Sequence, residues 1–277
     1  MTYSNPVAYE RFMGRWSARL APHFISFVDV HDARRVLDIG SGTGSLTAAL
    51  LAAGADMHVV GVEPAAEYVA FAQQAVPSPR AQFRVAAAET LPFADEDFDA
   101  ALSLLVLQEI TDPGRAVREM ARVTRRGGIV AACQWDFQDG IPMFSLLRQA
   151  AEAVAPEVMA RRRANEAPVN RTSLQDLAQL WIGSGLKGVR TSSLELSMEF
   201  ASFDDYWLPF VGGATPTSAF MAGLDRDTDG ALERVLRNKI PETKPDGSFV
   251  LPARAWAVAG ITGHESGGRM AQLPQTP

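Results

Sequence analysis

The sequence predicts an α/β fold in which a parallel sheet is wrapped by helices. Short apolar runs recur at Val36–Ile39, His58–Val62, Phe83–Ala86, Ala100–Val106 and Ile129–Trp135. Helix-like stretches separate them, at Leu46–Ala53, Ala65–Ala75 and Arg115–Val123. Alternation of this kind gives parallel strands joined by right-handed crossovers. Several of the runs are apolar throughout rather than at every second residue, as strands buried on both faces require. A chain of 277 residues, 47% hydrophobic and 21% charged, has room for one main domain with an elaboration and a sizeable core.

Either side of this block the pattern differs. Tyr9, Phe12, Met13, Trp16 and Leu20 recur at three- and four-residue steps, which places a helix in the first 30 residues. After Trp135, residues 142–165 read as helical and end in the basic run Arg161–Arg163. A helix at Leu174–Ile182 stops at Gly183–Ser184–Gly185, and a strand follows near Val189–Leu196. Residues 200–246 contain Trp207, Pro209, the pair Gly212–Gly213 and a polar helix, Asp229–Lys239, before Ser248–Ile261 returns to strand character. The organisation that follows is an N-terminal helical cover (1–30), a main domain (31–136 and 172–262), a helical lid within it (137–171 and 200–246) and a flexible tail (263–277).

Composition removes several classes. Cys133 is the only cysteine, so neither an internal disulfide framework nor a Cys-rich metal site is available. His23, His31, His58 and His264 are isolated, and Asp136 with Asp139 is too sparse a pair to hold a metal. A net charge of −6 and a pI near 5.3 argue against nucleic acid or an anionic membrane as partner. No run approaches the roughly 18 uncharged apolar residues of a membrane span. The N-terminus, MTYSNPVAYERFMGRW, carries charges where a signal peptide needs an apolar core. The expectation is a soluble cytoplasmic enzyme with a small-molecule partner.

The chemistry concentrates in Val36–Ser45, VLDIGSGTGS. A buried strand runs into Gly40-x-Gly42-x-Gly44, and a helix starts near Ser45. Glycines let the backbone turn sharply and approach a ligand, and the helix start offers free N–H groups. Asp38, two residues before the first glycine, pairs with a cationic amino group and repels a phosphate. The dinucleotide fingerprint G-x-G-x-x-G would need glycine at Ser45, and the GK[ST] phosphate loop is absent. Glu63 closes the next run, HVVGVEP, where a carboxylate can accept two hydrogen bonds from a ribose diol. An amino acid at one strand end and a ribose at the next describe S-adenosylmethionine. The ordinary alternatives are a helix N-cap for Asp38 and a solvated strand-end carboxylate for Glu63.

VLDIGSGTG, GVEPAAEYVAFAQ, AAETLPFADEDFDAALS and DPGRAVREMARVTRRGGIVAA stand in order along residues 34–135. Together they resemble the class I S-adenosylmethionine-dependent methyltransferases, in particular the small-molecule branch that includes ubiquinone- and menaquinone-biosynthesis enzymes. The resemblance implies a Rossmann-like, doubly wound, seven-stranded, mostly parallel sheet with Ser248–Ile261 as its antiparallel last strand. It also implies that Asp38, Gly40, Ser41 and Gly42 line the methionine part of the cofactor. By the same resemblance Glu63 holds the ribose with Pro64 beside the adenine. Ala88 and Glu89 sit at the adenine edge, and Ser103 and Leu104 close the pocket under the sulfonium. Two positions depart from the pattern. Ala87 stands where relatives often place an Asp toward the adenine amino group, and Gln108, followed by Glu109, where they often carry His. In relatives the N-terminal helix folds over the cofactor, so Tyr9, Arg15 and Trp16 either cover the methionine end or pack the helix on the sheet.

The implied reaction is a direct displacement on the activated methyl, in which the protein aligns the reactants and excludes water. A general base is needed only if the acceptor loses a proton as it attacks. The candidates are Glu109, Asp136 and Tyr206, none in a recognisable catalytic pair. Trp135, Phe137, Phe144, Tyr206, Trp207 and Phe210 make the lid side aromatic, which favours a small, partly hydrophobic acceptor. Arg161–Arg163 attracts an acidic acceptor or is a solvated helix face. The competing readings are a non-catalytic nucleoside-binding protein of the same fold and a methyltransferase acting on a macromolecule.

Overall fold

The computed structural model describes residues 5–165, 173–211, 226–240 and 243–263. The Gly212–Gly213 pair, His264, the Arg162 and Arg163 side chains and nearly all of the expected tail lie outside the described residues. Among the described residues there are seven strands: β1 Arg35–Ile39, β2 His58–Glu63, β3 Ala81–Val85, β4 Phe98–Leu104, β5 Thr124–Trp135, β6 Lys187–Phe200 and β7 Phe249–Ile261. They form one sheet in the order β3-β2-β1-β4-β5-β7-β6. The first five strands run parallel, and β7 is antiparallel to both of its neighbours, β5 and β6. Strand order reverses between β1 and β4, and a doubly wound sheet opens a crevice at that point, outside its carboxyl ends.

The apolar strands are buried on both faces. In β5, Ala131, Cys133 and Trp135 enter one core while Val130 and Ala132 enter the other. In β4, Ala100, Leu102 and Leu104 oppose Ala101 in the same way. Helices α2 (Arg15–Val28) and α3 (Ser45–Ala53) cover the first face through Trp16, Leu20, Phe24, Leu46 and Leu50. Helices α5 (Pro113–Val123) and α8 (Leu174–Gly183) cover the second through Val117, Met120, Leu177 and Trp181. Trp181 also donates its indole N–H to the Val130 carbonyl at 2.8 Å, which ties α8 to β5.

The chain enters through α1 (Pro6–Tyr9), capped by the Asn5 side chain, and a π-helical turn over Glu10–Gly14. The helix expected over 142–165 is two helices, α6 (Pro142–Val154) and α7 (Pro156–Asn165). Pro156 has no N–H to continue the ladder, so the break falls just before it. Strand β6 runs well past the expected Val189–Leu196 because it pairs with β7 as far as Phe200 and Phe249. Helices α9 (Phe203–Val211) and α10 (Arg226–Lys239) complete the described elements, and α4 (Ala66–Ala75) lies after β2. Phe203, Tyr206 and Phe210 of α9, with Leu232 and Leu236 of α10, share the core of α2 and α3. Among the described residues no helix is long and apolar enough to cross a membrane.

Candidate functional site

A cavity of about 590 Å³ opens where the strand order reverses. Its walls come from the Gly40–Thr43 loop after β1, the end of β2 with the start of α4, and residues 86–89 after β3. Residues 104–106 and 109–111, which follow β4, form another side, and Tyr9 and Ser17 reach it from the N-terminal helices.

Asp38 is 1% exposed at the end of β1. Its Oδ2 accepts the Thr47 hydroxyl at 2.7 Å, and no ion pair to it exists among the described residues. Burial without a cation lifts its carboxyl to about 7, only partly opposed by the Thr47 bonds. A buried anion in this condition is a receptor for a cation.

Glu63, at the end of β2, accepts the Gly42 N–H on Oε2 at 3.3 Å and the Ala65 N–H on Oε1 at 3.2 Å. Burial raises its pKa and the two N–H bonds pull it part of the way back. Each oxygen keeps a further lone pair for a ligand hydroxyl. Ser41 is also buried against the cavity, and its hydroxyl has no partner among the described residues.

Two glycines make the arrangement possible. Gly40 has φ +66°, and a Cβ there would lie 2.4 Å from Val106 Cγ1, so the segment after β4 can close over the loop only if residue 40 is glycine. Gly61 in β2 does the same underneath: its Cβ would lie 2.8 Å from Ser41 Cβ and 2.6 Å from the Phe83 ring. The Ser41 N–H donates to the Val62 carbonyl at 3.0 Å, which fixes the loop on that strand. Past β4, Leu105 adopts φ +63°, unusual for a leucine, and turns Leu104–Val106 along the cavity.

The structure brings most of the residues singled out from the sequence to this one cavity. Asp38, Gly40, Ser41 and Gly42 line one end. Glu63, Pro64, Ala88, Glu89, Leu104 and Glu109 line the rest. Ser103 does not reach it: the residue is fully buried one position below, and its hydroxyl is without a partner among the described residues.

Two of the three candidate bases are corrected by the geometry. Asp136 is 3% exposed and holds Arg254 at 2.6 Å while accepting the Gln138 N–H, so it closes a turn away from the cavity. Tyr206 is 1% exposed, donates to the Met143 carbonyl at 2.7 Å and sits among Phe200, Phe210 and Phe249. Burial pushes its phenol upward, away from any role as a base.

The N-terminal helices divide between the two roles considered for them. Tyr9 lines the cavity, with its hydroxyl 3.3 Å from Ser17 Oγ and its ring edge-on to Tyr68. Burial, with Glu10, Glu63 and Glu109 nearby, raises its pKa, so it stays a donor. Trp16 packs on Phe200, and Arg15 is paired with Asp205 at 2.8 Å. The lid aromatics are mostly core: Phe144 and Phe210 pack on Phe12, Trp207 stacks on Phe203, and Phe137 is exposed.

Sequence reading missed Thr47, Gly61 and Val106. Thr47 is the one signal that could have been found, a hydroxyl in the otherwise apolar helix SLTAALLAA, one turn past the glycine loop.

Residues 37–132 match a known family, described as a methyltransferase domain. This stretch, about a third of the chain, is similar to a methyltransferase domain. An uncharacterized methyltransferase of Mycobacterium bovis is 39% identical over 132 residues, 48% of this chain and 50% of that protein. The demethylmenaquinone methyltransferase of Roseiflexus sp. is 40% identical over 100 residues, 36% of this chain and 42% of that protein. The chain therefore spans about half the length of the curated relatives it matches. The solved structure of Haemonchus contortus phosphoethanolamine N-methyltransferase 2, in complex with S-adenosyl-L-methionine, aligns with a TM-score of 0.57 at 16% identity. That alignment covers 95% of this chain and 58% of the other, and at such identity it speaks for the fold. The methyltransferase domain match begins in β1 and ends in β5, so it holds Asp38, Glu63 and the loop after β4 but none of residues 137–246.

Proposed function

We propose that this chain transfers the methyl group of S-adenosylmethionine to a small, partly hydrophobic molecule by direct displacement. The observation that carries the reading is one cavity with two carboxylates at adjacent strand ends, Asp38 buried and Glu63 partly buried, neither paired with a cation among the described residues. The residues fit the cofactor. Asp38 suits the α-ammonium group, and the unpartnered Ser41 hydroxyl lies on the same wall for the polar amino acid end. Glu63 suits the ribose diol, and the small side chains of Pro64 and Ala86–Ala88 leave room for a purine. When bound, S-adenosylmethionine supplies an electrophilic methyl on a sulfonium.

The chain's own residues then hold, orient and keep dry. Leu104, Leu105, Val106 and Ile110 give the cavity an apolar side suited to a hydrophobic acceptor. Tyr9 keeps its phenol proton at the cavity wall, and Glu109 is the candidate base that remains at the cavity. Alignment of two reactants in a water-poor site is worth about 7–11 kcal/mol of barrier in favourable cases, so a base is an addition to this chemistry rather than its source.

The test is transfer of a labelled methyl from S-adenosylmethionine to a panel of phenols, quinols and amines, with protein and nucleic acid as parallel acceptors. Label in an extractable small product supports the proposal. Label only in the macromolecules overturns the acceptor class. Tight cofactor binding with no label anywhere leaves a non-catalytic binding protein.

A further inference from the structure

Residues 86–89 form the wall after β3, and three of the four are alanines. Such a wall recognises a ligand chiefly by where its main chain stands. What fixes that position lies outside the cavity. Arg122, near the end of α5, spends all five guanidinium N–H groups on the segment that follows the wall and on one neighbour. Its Nη2 donates to the Leu91 carbonyl at 3.1 Å, and its Nη1 to the Phe93 carbonyl at 2.9 Å and to Asp95 Oδ1 at 2.7 Å. The remaining two bonds go to Glu119, from Nε at 2.7 Å and from Nη2 at 2.8 Å. Glu119 in turn accepts the Leu91 N–H at 3.0 Å, and the Glu96 N–H donates to the Arg122 carbonyl at 3.0 Å.

Leu91 is thus gripped at both its N–H and its carbonyl, two residues beyond the wall. Phe93 is packed edge-on against Phe98 at 5.0 Å, a further contact that holds the segment on β4. The Arg122 pair holds the Glu119 carboxyl below its ordinary range, so the clamp stays charged through neutral pH. At the other end of α5, Ile110 and Thr111, which also line the cavity, lead into the helix.

We propose that Arg122 is a positioning residue for the Ala86–Glu89 wall and sets how selectively this chain holds the nucleobase end of its cofactor. The inference rests on the cofactor reading above. Its planar fork is the reason the residue is arginine: a lysine offers three donors from one point and cannot serve three carbonyl or carboxylate partners and Glu119 together.

The experiment measures the affinity of wild type, Arg122→Met, Arg122→Lys and Asp38→Ala for two probes. These are S-adenosylhomocysteine and S-inosylhomocysteine, which differ at the purine 6-substituent and in the proton that hypoxanthine carries on N1. Melting temperature is recorded for each variant. In Arg122→Met the adenine-to-hypoxanthine affinity ratio is expected to collapse by about tenfold, the size of one misplaced hydrogen-bonding group. Arg122→Lys is expected to fall between it and wild type and keeps the test open if the methionine variant does not fold. Asp38→Ala weakens both probes equally and leaves the ratio unchanged. A lowered melting temperature with an unchanged ratio in the arginine variants would show a purely structural residue and overturn the proposal. Failure of wild type to bind either probe would instead overturn the cofactor reading, and the proposal with it.

Discussion

The region from β1 to β5 and the region from Phe137 to residue 246 were built under different constraints. In the first, single residues are dictated by geometry: glycine at 40 because Val106 lies over it at positive φ, and a buried carboxylate at 38 beside a hydroxyl donor. In the second, the aromatic side chains of α6 and α9 fill a core they share with α2 and β7, and many alternative apolar sets would fill it. The family match covers residues 37–132, in the first region only. The difference teaches that the stretch lining the cavity is specified residue by residue, whereas the stretch after it, none of which lines the cavity among the described residues, is specified by volume and polarity.

The strongest way to break this comparison is at Gly40. Gly40→Ala forces a Cβ into Val106 at positive φ, a strain of about 1–3 kcal/mol, and is expected to abolish measurable nucleoside binding by calorimetry. Retained affinity would show that the loop is as tolerant as the region after Phe137.

Asp38→Asn separates function from stability. It is expected to lose about a hundredfold in affinity for S-adenosylmethionine, the size of a lost charge-assisted pair. The folded value of about 7 lies above the ordinary 3.8, so the stabilising contribution is complete below the lower value and lost as pH rises through the higher one. At pH 8 the aspartate is a buried uncompensated anion, and the asparagine variant is expected to melt about 2–4 °C higher. In wild type, affinity for the cationic ligand is expected to fall by up to about tenfold per unit as pH drops below 7, because protonation removes the charge.

Asp136 and Tyr206, which do not line the cavity, sharpen the contrast with smaller effects. Asp136→Asn weakens the grip on Arg254 and is expected to cost about 1–3 kcal/mol in denaturant unfolding with no change in cofactor affinity. Tyr206→Phe leaves the Met143 carbonyl without its donor and is expected to cost about 1 kcal/mol, again with binding unchanged. A loss of methyl transfer out of proportion to stability in either variant would return that residue to the catalytic candidates.

What was legible in the sequence follows the same division. Asp38, Gly40 and Glu63 could be read because a strand end, a glycine loop and a second strand end lie within one stretch of chain, and their roles follow from local chemistry. Asp136 and Tyr206 misled because proximity in sequence to the strand ends says nothing about a partner 118 residues away, as Arg254 is from Asp136. Gly61 looked like an ordinary strand glycine, and only the seating of Ser41 on it reveals why no side chain fits. The five-stranded parallel core was readable from apolar runs, but the length of β6 was not. That strand is an edge with mostly exposed residues, and its extent is set by pairing with β7.

The most direct test of the central claim is calorimetric titration of the wild-type chain with S-adenosylmethionine, S-adenosylhomocysteine and NAD at pH 8, repeated on Asp38→Ala and Glu63→Ala. Micromolar binding of the first two, lost in both variants and absent for NAD, is the predicted result. Binding of NAD, or nucleoside binding that survives both substitutions, would contradict the assignment of the cavity between β1 and β4.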